Sequence, residues 1–302
     1  MNDVKNYFND NEMYINSIRE FNHVKILNTN KGKYVLKNKT TDNNLYKYLL
    51  SKNFNYIINS KNIDKYELFP FVEEVNIENG EKAIELMLLL SLLHNKTTFY
   101  RESNLDKIKE LYEELEDRIK YLDNYYHELQ DIIEQKVYMS PAEYLLIRNA
   151  SYIYSALEFS KYNLEKWYEE KIKLKNERVV LLHNNPNLDH ILIGKEKKLI
   201  SWNNYKKDIP IYDFITFYRK EYLDLDMISL FQIYKSRFQY TNDEYLLFLS
   251  LISIPEKIEF TSNNYLNTYK VNRIVKYVIK TRDFVLNEDK NTKSNDKNKL
   301  DE

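Results

Sequence analysis

The run from Val179 to Phe217, VVLLHNNPNLDHILIGKEKKLISWNNYKKDIPIYDFITF, constrains the fold more than any other part of the chain. Val179 to Leu182 is continuously apolar and strand-like. His183-Asn184-Asn185-Pro186-Asn187-Leu188-Asp189 is a polar turn. Ile191-Leu192-Ile193 and Leu199-Ile200 follow as short apolar runs on either side of Gly194-Lys195-Glu196-Lys197-Lys198, a hairpin pattern. After Pro210 the period becomes helical, with Ile211, Phe214, Ile215 and Tyr218 on one face. Strand, loop, hairpin and helix in this order hold a polar loop on rigid supports, where functional side chains concentrate.

The N-terminal region reads as sheet. His23 to Leu27 alternates with period two, Asn28-Thr29-Asn30-Lys31-Gly32 is a turn, and Lys33 to Lys37 resumes the alternation, predicting a β-hairpin. Residues 1–20 predict only a short helix or irregular lead-in. Asp42 to Leu50 predicts a short helix capped by Asp42. Tyr66 to Glu74 reads as a last strand running into a connecting segment.

From Glu81 onward helices dominate. His94 falls at the end of the first of them, where a negative dipole end accounts for it. Leu105 to Gln135 carries an apolar stripe of Leu105, Ile108, Leu111, Tyr112, Leu115, Ile119, Leu122 and Tyr126, with Glu113, Glu114, Glu116 and Asp117 on the solvated side. Ser140-Pro141-Ala142-Glu143 is a capping box opening a helix to about Leu174, which bears Tyr152, Ala156, Phe159, Leu164 and Trp167. The two helices predict an antiparallel hairpin with a core-packing inner face. Further helices are predicted over Asp213–Leu223, Leu225–Phe238, Leu246–Ile254 (behind a capping box at Thr241-Asn242-Asp243-Glu244) and Tyr265–Val285. Residues 287–302, polar and free of aromatic residues, predict a disordered tail.

Composition excludes some functions. With 302 residues, 43% hydrophobic and 30% charged, the chain can bury a sizeable core. A net charge of -1 gives no basic field, so no nucleic-acid partner is expected. The absence of Cys excludes disulfides and thiolate metal sites and suits a cytoplasmic location. The start MNDVKNYFNDNEMY is too polar for a signal peptide, and the apolar run Leu86 to Leu93 is too short to span a membrane, so no membrane partner is expected. Three glycines nearly exclude a Gly-rich phosphate cradle.

The Val179–Phe217 segment resembles the catalytic segment of the aminoglycoside phosphotransferase and choline kinase branch of the protein-kinase-like superfamily. In that family an apolar strand enters a His-x-Asp loop, an Asn follows near the next strand, a hairpin brings an Asp-centred metal motif, and Pro-x-x-Asp starts a helix. Here His183 matches the loop His, read as structural, and Pro210 with Asp213 matches the closing motif, read as an anchor for loop amides. Asn185 stands at the catalytic Asp position, His190 at the metal-binding Asn position, and Ser201, followed by Trp202, at the metal-binding Asp position. In Tyr34-Val35-Leu36-Lys37, Lys37 falls where the family keeps its phosphate-pairing lysine, or is simply an outward-facing strand lysine. No Glu occurs between Asp42 and Ser60 to pair with it. Leu246 to Lys257, ending Ile-Pro-Glu-Lys, resembles the C-terminal part of bacterial spore-coat-associated kinase-like proteins.

The resemblance implies an α+β, two-lobed protein-kinase-like fold. A reduced, β-containing N-terminal lobe would cover 1–72 and a mostly helical C-terminal lobe 73–286, with a helical-hairpin insert at about 105–174 and a degenerate catalytic segment at 179–217. It implies a catalytically inactive pseudokinase acting through a protein partner, in a coat-type or other bacterial assembly, with no cofactor. The alternative is an active phosphotransferase using ATP with Mg on a small-molecule acceptor, its metal site rearranged around Asp189 or Asp208. Phosphoryl transfer needs a divalent ion on the phosphates and a carboxylate facing the acceptor. Asn185 cannot take a proton at neutral pH, His190 offers nitrogen where Mg²⁺ prefers oxygen, and Ser201 is a neutral ligand.

Overall fold

The computed structural model describes residues 2–21, 24–39 and 43–298. His23 and Asp42, expected to begin a strand and to cap a helix, lie outside the described residues. The N-terminal part is α1 (Asn2–Asp10), β1 (Ile15–Phe21), β2 (Val24–Thr29), β3 (Gly32–Asn38), α2 (Asn43–Ser51), β4 (Lys61–Ile63) and β5 (Tyr66–Pro70). The strands form one antiparallel sheet in the order β1-β2-β3-β5-β4.

Because successive side chains in a strand point to opposite faces, this sheet has two different surfaces. Leu27, Leu36 and Leu68 bury against Val4 and Phe8 of α1, Met13 and Ile63 in a small core. Val24, Ile26, Val35, Lys37 and Phe69 face the other way. Residues 1–20 contain the short helix that the sequence reading allowed, α1, and in addition a strand, β1, that it did not foresee. In β1 the apolar residues Ile15, Ile18 and Phe21 recur every third position, and a register shift between Ile15 and Ser17 explains the broken alternation.

The larger part is α3 (Asn79–Thr97), β6 (Phe99–Glu102), α4 (Leu105–Glu134), α5 (Pro141–Lys171), β7 (Asn176–Leu182), β8 (Ile191–Ile193), β9 (Lys197–Leu199), β10 (Lys206–Asp208), α6 (Ile211–Glu221), α7 (Met227–Arg237), α8 (Asn242–Ser253) and α9 (Asn264–Asn298). α3 is buried through Ala83, Leu86, Met87, Leu90 and Leu93, so it runs through the core rather than along its surface. β7 is buried from Val179 to Leu182 and pairs with β6 on one side and β10 on the other. The α4–α5 hairpin forms as its pattern predicts, except that Leu105 is exposed. Ser140 accepts from the Glu143 amide while Glu143 accepts from the Ser140 amide at 2.7 Å, closing the expected capping box. α5 then packs on α8 and α9, with the buried Lys171 ammonium 2.8 Å from Asp243.

Two features were not in the sequence reading. α9 does not stop near Val285: it continues through Asn298, and Glu288 is fully buried, receiving the Gln232 amide and the Lys235 ammonium. Leu45 and Leu49 of α2, with Phe54 and Ile57 after it, belong to the large helical core and not to the small one behind the sheet. Tyr56 reinforces that attachment, its carbonyl accepting from the Leu199 amide at 2.7 Å.

The connecting segment after β5 crosses the β8–β9 turn closely. The Val75 amide donates to the Ile193 carbonyl at 2.8 Å, and a Cβ on Gly194 would lie 2.4 Å from the Glu73 carbonyl oxygen. Gly194 is therefore required by close approach of backbone to backbone. Among the described residues no helix is long and apolar enough to cross a membrane.

Candidate active site

The loop after β7 is held from below by one carboxylate. Asp213, in the first turn of α6 and fully buried, accepts the amide of His183 on Oδ2 at 2.9 Å and the amide of Asn184 on Oδ1 at 2.6 Å. Asn184 sits at φ 60°, a left-handed conformation that Asn tolerates, and its side chain donates to the Asn204 carbonyl at 2.9 Å. His183 is fully buried against Trp202, their ring centres 5.0 Å apart. Its Nε2 lies 2.7 Å from the Ile200 carbonyl, which can only accept, so Nε2 carries the proton.

His94, in the last turn of α3, belongs to this group. It is fully buried, with Nε2 3.0 Å from Asp213 Oδ2 and Nδ1 2.6 Å from the Tyr234 hydroxyl. With the carboxylate accepting, Nε2 donates to Asp213 and Nδ1 accepts from Tyr234. Tyr234, His94 and Asp213 thus tie α7, α3 and α6 to the loop. The sequence reading placed His94 at the right helix end but had no means of seeing a partner 140 positions away.

The positions expected to carry chemistry are occupied otherwise. Asn185 Oδ1 accepts from the Lys220 ammonium at 2.5 Å, and the same ammonium lies 3.4 Å from the Pro186 carbonyl. His190 Nδ1 donates to the Asn185 carbonyl at 2.8 Å. Ser201 adopts φ 64° and ψ 47°, and Trp202 folds back to donate from Nε1 to the Leu199 carbonyl at 2.9 Å. Asp189 is exposed. Asp208 pairs with Lys206 at 2.9 Å and accepts the Ile209 amide at 2.8 Å. Among the described residues no three His, Asp or Glu side chains cluster as metal ligands. A hard divalent cation needs anionic oxygen, and Asn185, His190 and Ser201 supply none. The residues present do not fit a magnesium ion.

Between the sheet and the helical part lies a cavity of about 270 Å³. Val35, Phe69 and Lys37 roof it, Val72 and Glu74 close one side, and Leu192, Ser201 and Trp202 lie on the other. Asn185 and His190 do not line it. Lys37 Nζ is 3.4 Å from Asn203 Oδ1 and 5.5 Å from the Phe69 ring centre. Burial lowers its pKa, and the charge of Glu67 opposes that. Glu67, fully buried, stands directly across from Lys37 in the β3–β5 register. The sequence reading sought a carboxylate for Lys37 in the helix and missed the neighbouring strand. It also missed Lys220.

Burial lowers the pKa of both His183 and His190. An imidazole with a folded-state pKa below its unfolded value favours the neutral form in the fold. Stability is therefore full above about pH 6.5 and declines below it, as the unfolded chain takes up protons the fold refuses. His190→Gln, which keeps a donor for the Asn185 carbonyl, is expected to shallow that decline by up to about 1.4 kcal/mol per pH unit. Urea denaturation between pH 5 and 7 (on the order of the His titration range) reads this; equal slopes in both proteins would refute it.

No protein-family model and no curated protein sequence matches the chain. Solved structures do. An aminoglycoside phosphotransferase from Alicyclobacillus acidocaldarius is similar over 93% of this chain and 93% of its own, with a TM-score of 0.67 at 10% identity. An AMP-bound spectinomycin phosphotransferase covers 88% of this chain and 93% of its own, with a TM-score of 0.49 at 12% identity. A choline/ethanolamine kinase family protein from Mesorhizobium loti covers 89% and 93%, with a TM-score of 0.41 at 11% identity. The first likeness establishes the fold: a small antiparallel-sheet lobe and a helical lobe in the kinase-like arrangement.

Proposed function

We propose that this chain is a catalytically inactive kinase-like protein, a pseudokinase that works by binding. The observation that carries the reading is the Lys220 ammonium on Asn185 Oδ1. At the position where the fold's enzymes face the acceptor with a carboxylate, this chain holds a neutral amide already committed to a cation. Losing a single charged group at such a site costs several kcal/mol of transition-state stabilisation, about 2.7–4 kcal/mol for one oxyanion-type donor. Here the base and both metal positions lack charge together. A protein partner in a bacterial coat-type or other assembly, in the cytoplasm and with no cofactor, fits a fold kept without its chemistry. The Leu246–Lys257 phrase supports the coat-type assignment.

One observation favours the alternative, an ATP- and Mg-dependent small-molecule phosphotransferase: the cavity beside Lys37 is open and not filled by Trp202. Thermal unfolding with ATP alone, and with ATP plus Mg²⁺ or Mn²⁺, separates the readings. A ligand at a hundred times its dissociation constant stabilises by about 2.7 kcal/mol. The inactive reading expects no metal-dependent increment; a rise that requires the metal would reinstate the enzyme.

A further inference from the structure

The Tyr152–Ala156–Phe159 stripe of α5 packs against the edge of the large core. Leu157, Leu164 and Trp167 of the same helix are buried, but Tyr152, Ala156 and Phe159 are only half-buried. They face α9 across a gap. Ala156 on α5, Ser253 at the end of α8, and Val278 and Thr281 on α9 are short side chains, and together they leave the helices unfilled between them. The result is a cavity of about 230 Å³, separate from the cleft below the sheet. It is deep: Ser253, Val278 and Thr281 on its floor are 4%, 2% and 3% exposed. An apolar cavity of about 150 Å³ is enough to hold benzene.

One charged group stands at this cavity. Arg282 lies at its rim, the guanidinium carbon 5.6 Å from the Tyr152 ring centre. Among the described residues Arg282 enters no ion pair, while Glu288 on the same helix is committed to Gln232 and Lys235. A rigid, planar fork of donors above an apolar hole matches a carboxylate on an apolar body.

We propose that the cavity between α5, α8 and α9 binds a small amphipathic carboxylate, its apolar body between Tyr152, Phe159 and Val278 and its carboxylate on Arg282. This site stands independently of the cleft and of whether the cleft supports turnover. A small molecule suits it better than a partner's surface, because the cavity runs inward between helices to a buried floor.

Calorimetric titration of the full chain with octanoate and with octanamide tests the assignment. Octanoate is expected to bind one-to-one, and octanamide, equally apolar but neutral, on the order of tenfold more weakly. Arg282→Gln should bring octanoate down to the octanamide level and leave octanamide unchanged. Ala156→Phe, which fills the cavity from a half-buried position on its wall, should abolish binding of both. Failure of octanoate to bind, equal affinity for the two ligands, or undiminished binding by the Ala156→Phe protein would each overturn the proposal.

Discussion

Asp213→Ala is expected to destabilise the protein by about 3–5 kcal/mol, because three buried donors lose their shared acceptor. Asp213 is fully buried and serves three donors at once: the amides of His183 and Asn184 and the Nε2 of His94. Alanine supplies no acceptor. Each donor left without one in a dry environment costs about 1–3 kcal/mol, and the cavity adds to that. Asp213→Asn should recover little, because its amide nitrogen would face another donor on one side. Urea denaturation followed by tryptophan fluorescence reads the loss, and Trp202 beside His183 reports from the loop itself. A change below about 1 kcal/mol would show that the loop is held elsewhere, since ordinary surface substitutions stay within about 0.5 kcal/mol.

The second large effect is a gain. In the double variant Asn185→Asp, Ser201→Asp, two carboxylates take the positions that the kinase-like resemblance aligns with a catalytic and a metal-binding aspartate, and divalent-metal binding is expected to appear. Ser201 at φ 64° favours the experiment, because aspartate is among the few residues that adopt this conformation readily. Lys220 opposes it: an aspartate at 185 would pair with that ammonium first. Adding Lys220→Gln should therefore tighten the metal further. At saturating Mg²⁺, about a hundred times the dissociation constant, the double variant should gain about 2.7 kcal/mol, and the parent protein nothing. No metal-dependent stabilisation in either variant would mean that Asn185 and Ser201 are not where a metal would sit.

Much of this fold was legible where local patterning and tertiary packing agree. The β2–β3 hairpin, the α4–α5 hairpin and the Ser140 capping box all follow from period and cap chemistry within a few residues. The elements that were missed lack such local signals. β4, β6 and β10 are three or four residues long, too short to show a period. β1 hides its alternation behind a bulge. Residues 287–298 look like a solvated tail because their composition is polar, yet Glu288 finds Gln232 and Lys235 on α7 and is drawn inside.

The same division holds at the candidate site. Asn185, His190 and Ser201 were identifiable by their order along the chain. What each touches was not, because Lys220 reaches Asn185 across 35 positions and Tyr234 reaches His94 across 140. Glu67 was recoverable in principle: once β3 and β5 are paired, the register puts it opposite Lys37. The kinase-like resemblance directs the search for a carboxylate to a helix, whereas the register puts Glu67 on a strand.

The attachment of α2 to the large core changes the mechanics of the molecule. Among the described residues the chain passes between that core and the sheet from Ile57 to Lys61, and again from Pro70 to Val75. A plate hung from a single strap swings more freely than one laced at two places and packed through a helix as well. Hinge closure of one lobe over the other, the usual motion of a two-lobed protein around its ligand, is braced against here. Whatever enters the cleft is expected to meet the shape already present, with little reorganisation to offset on binding and no closing step to wait for on the way in.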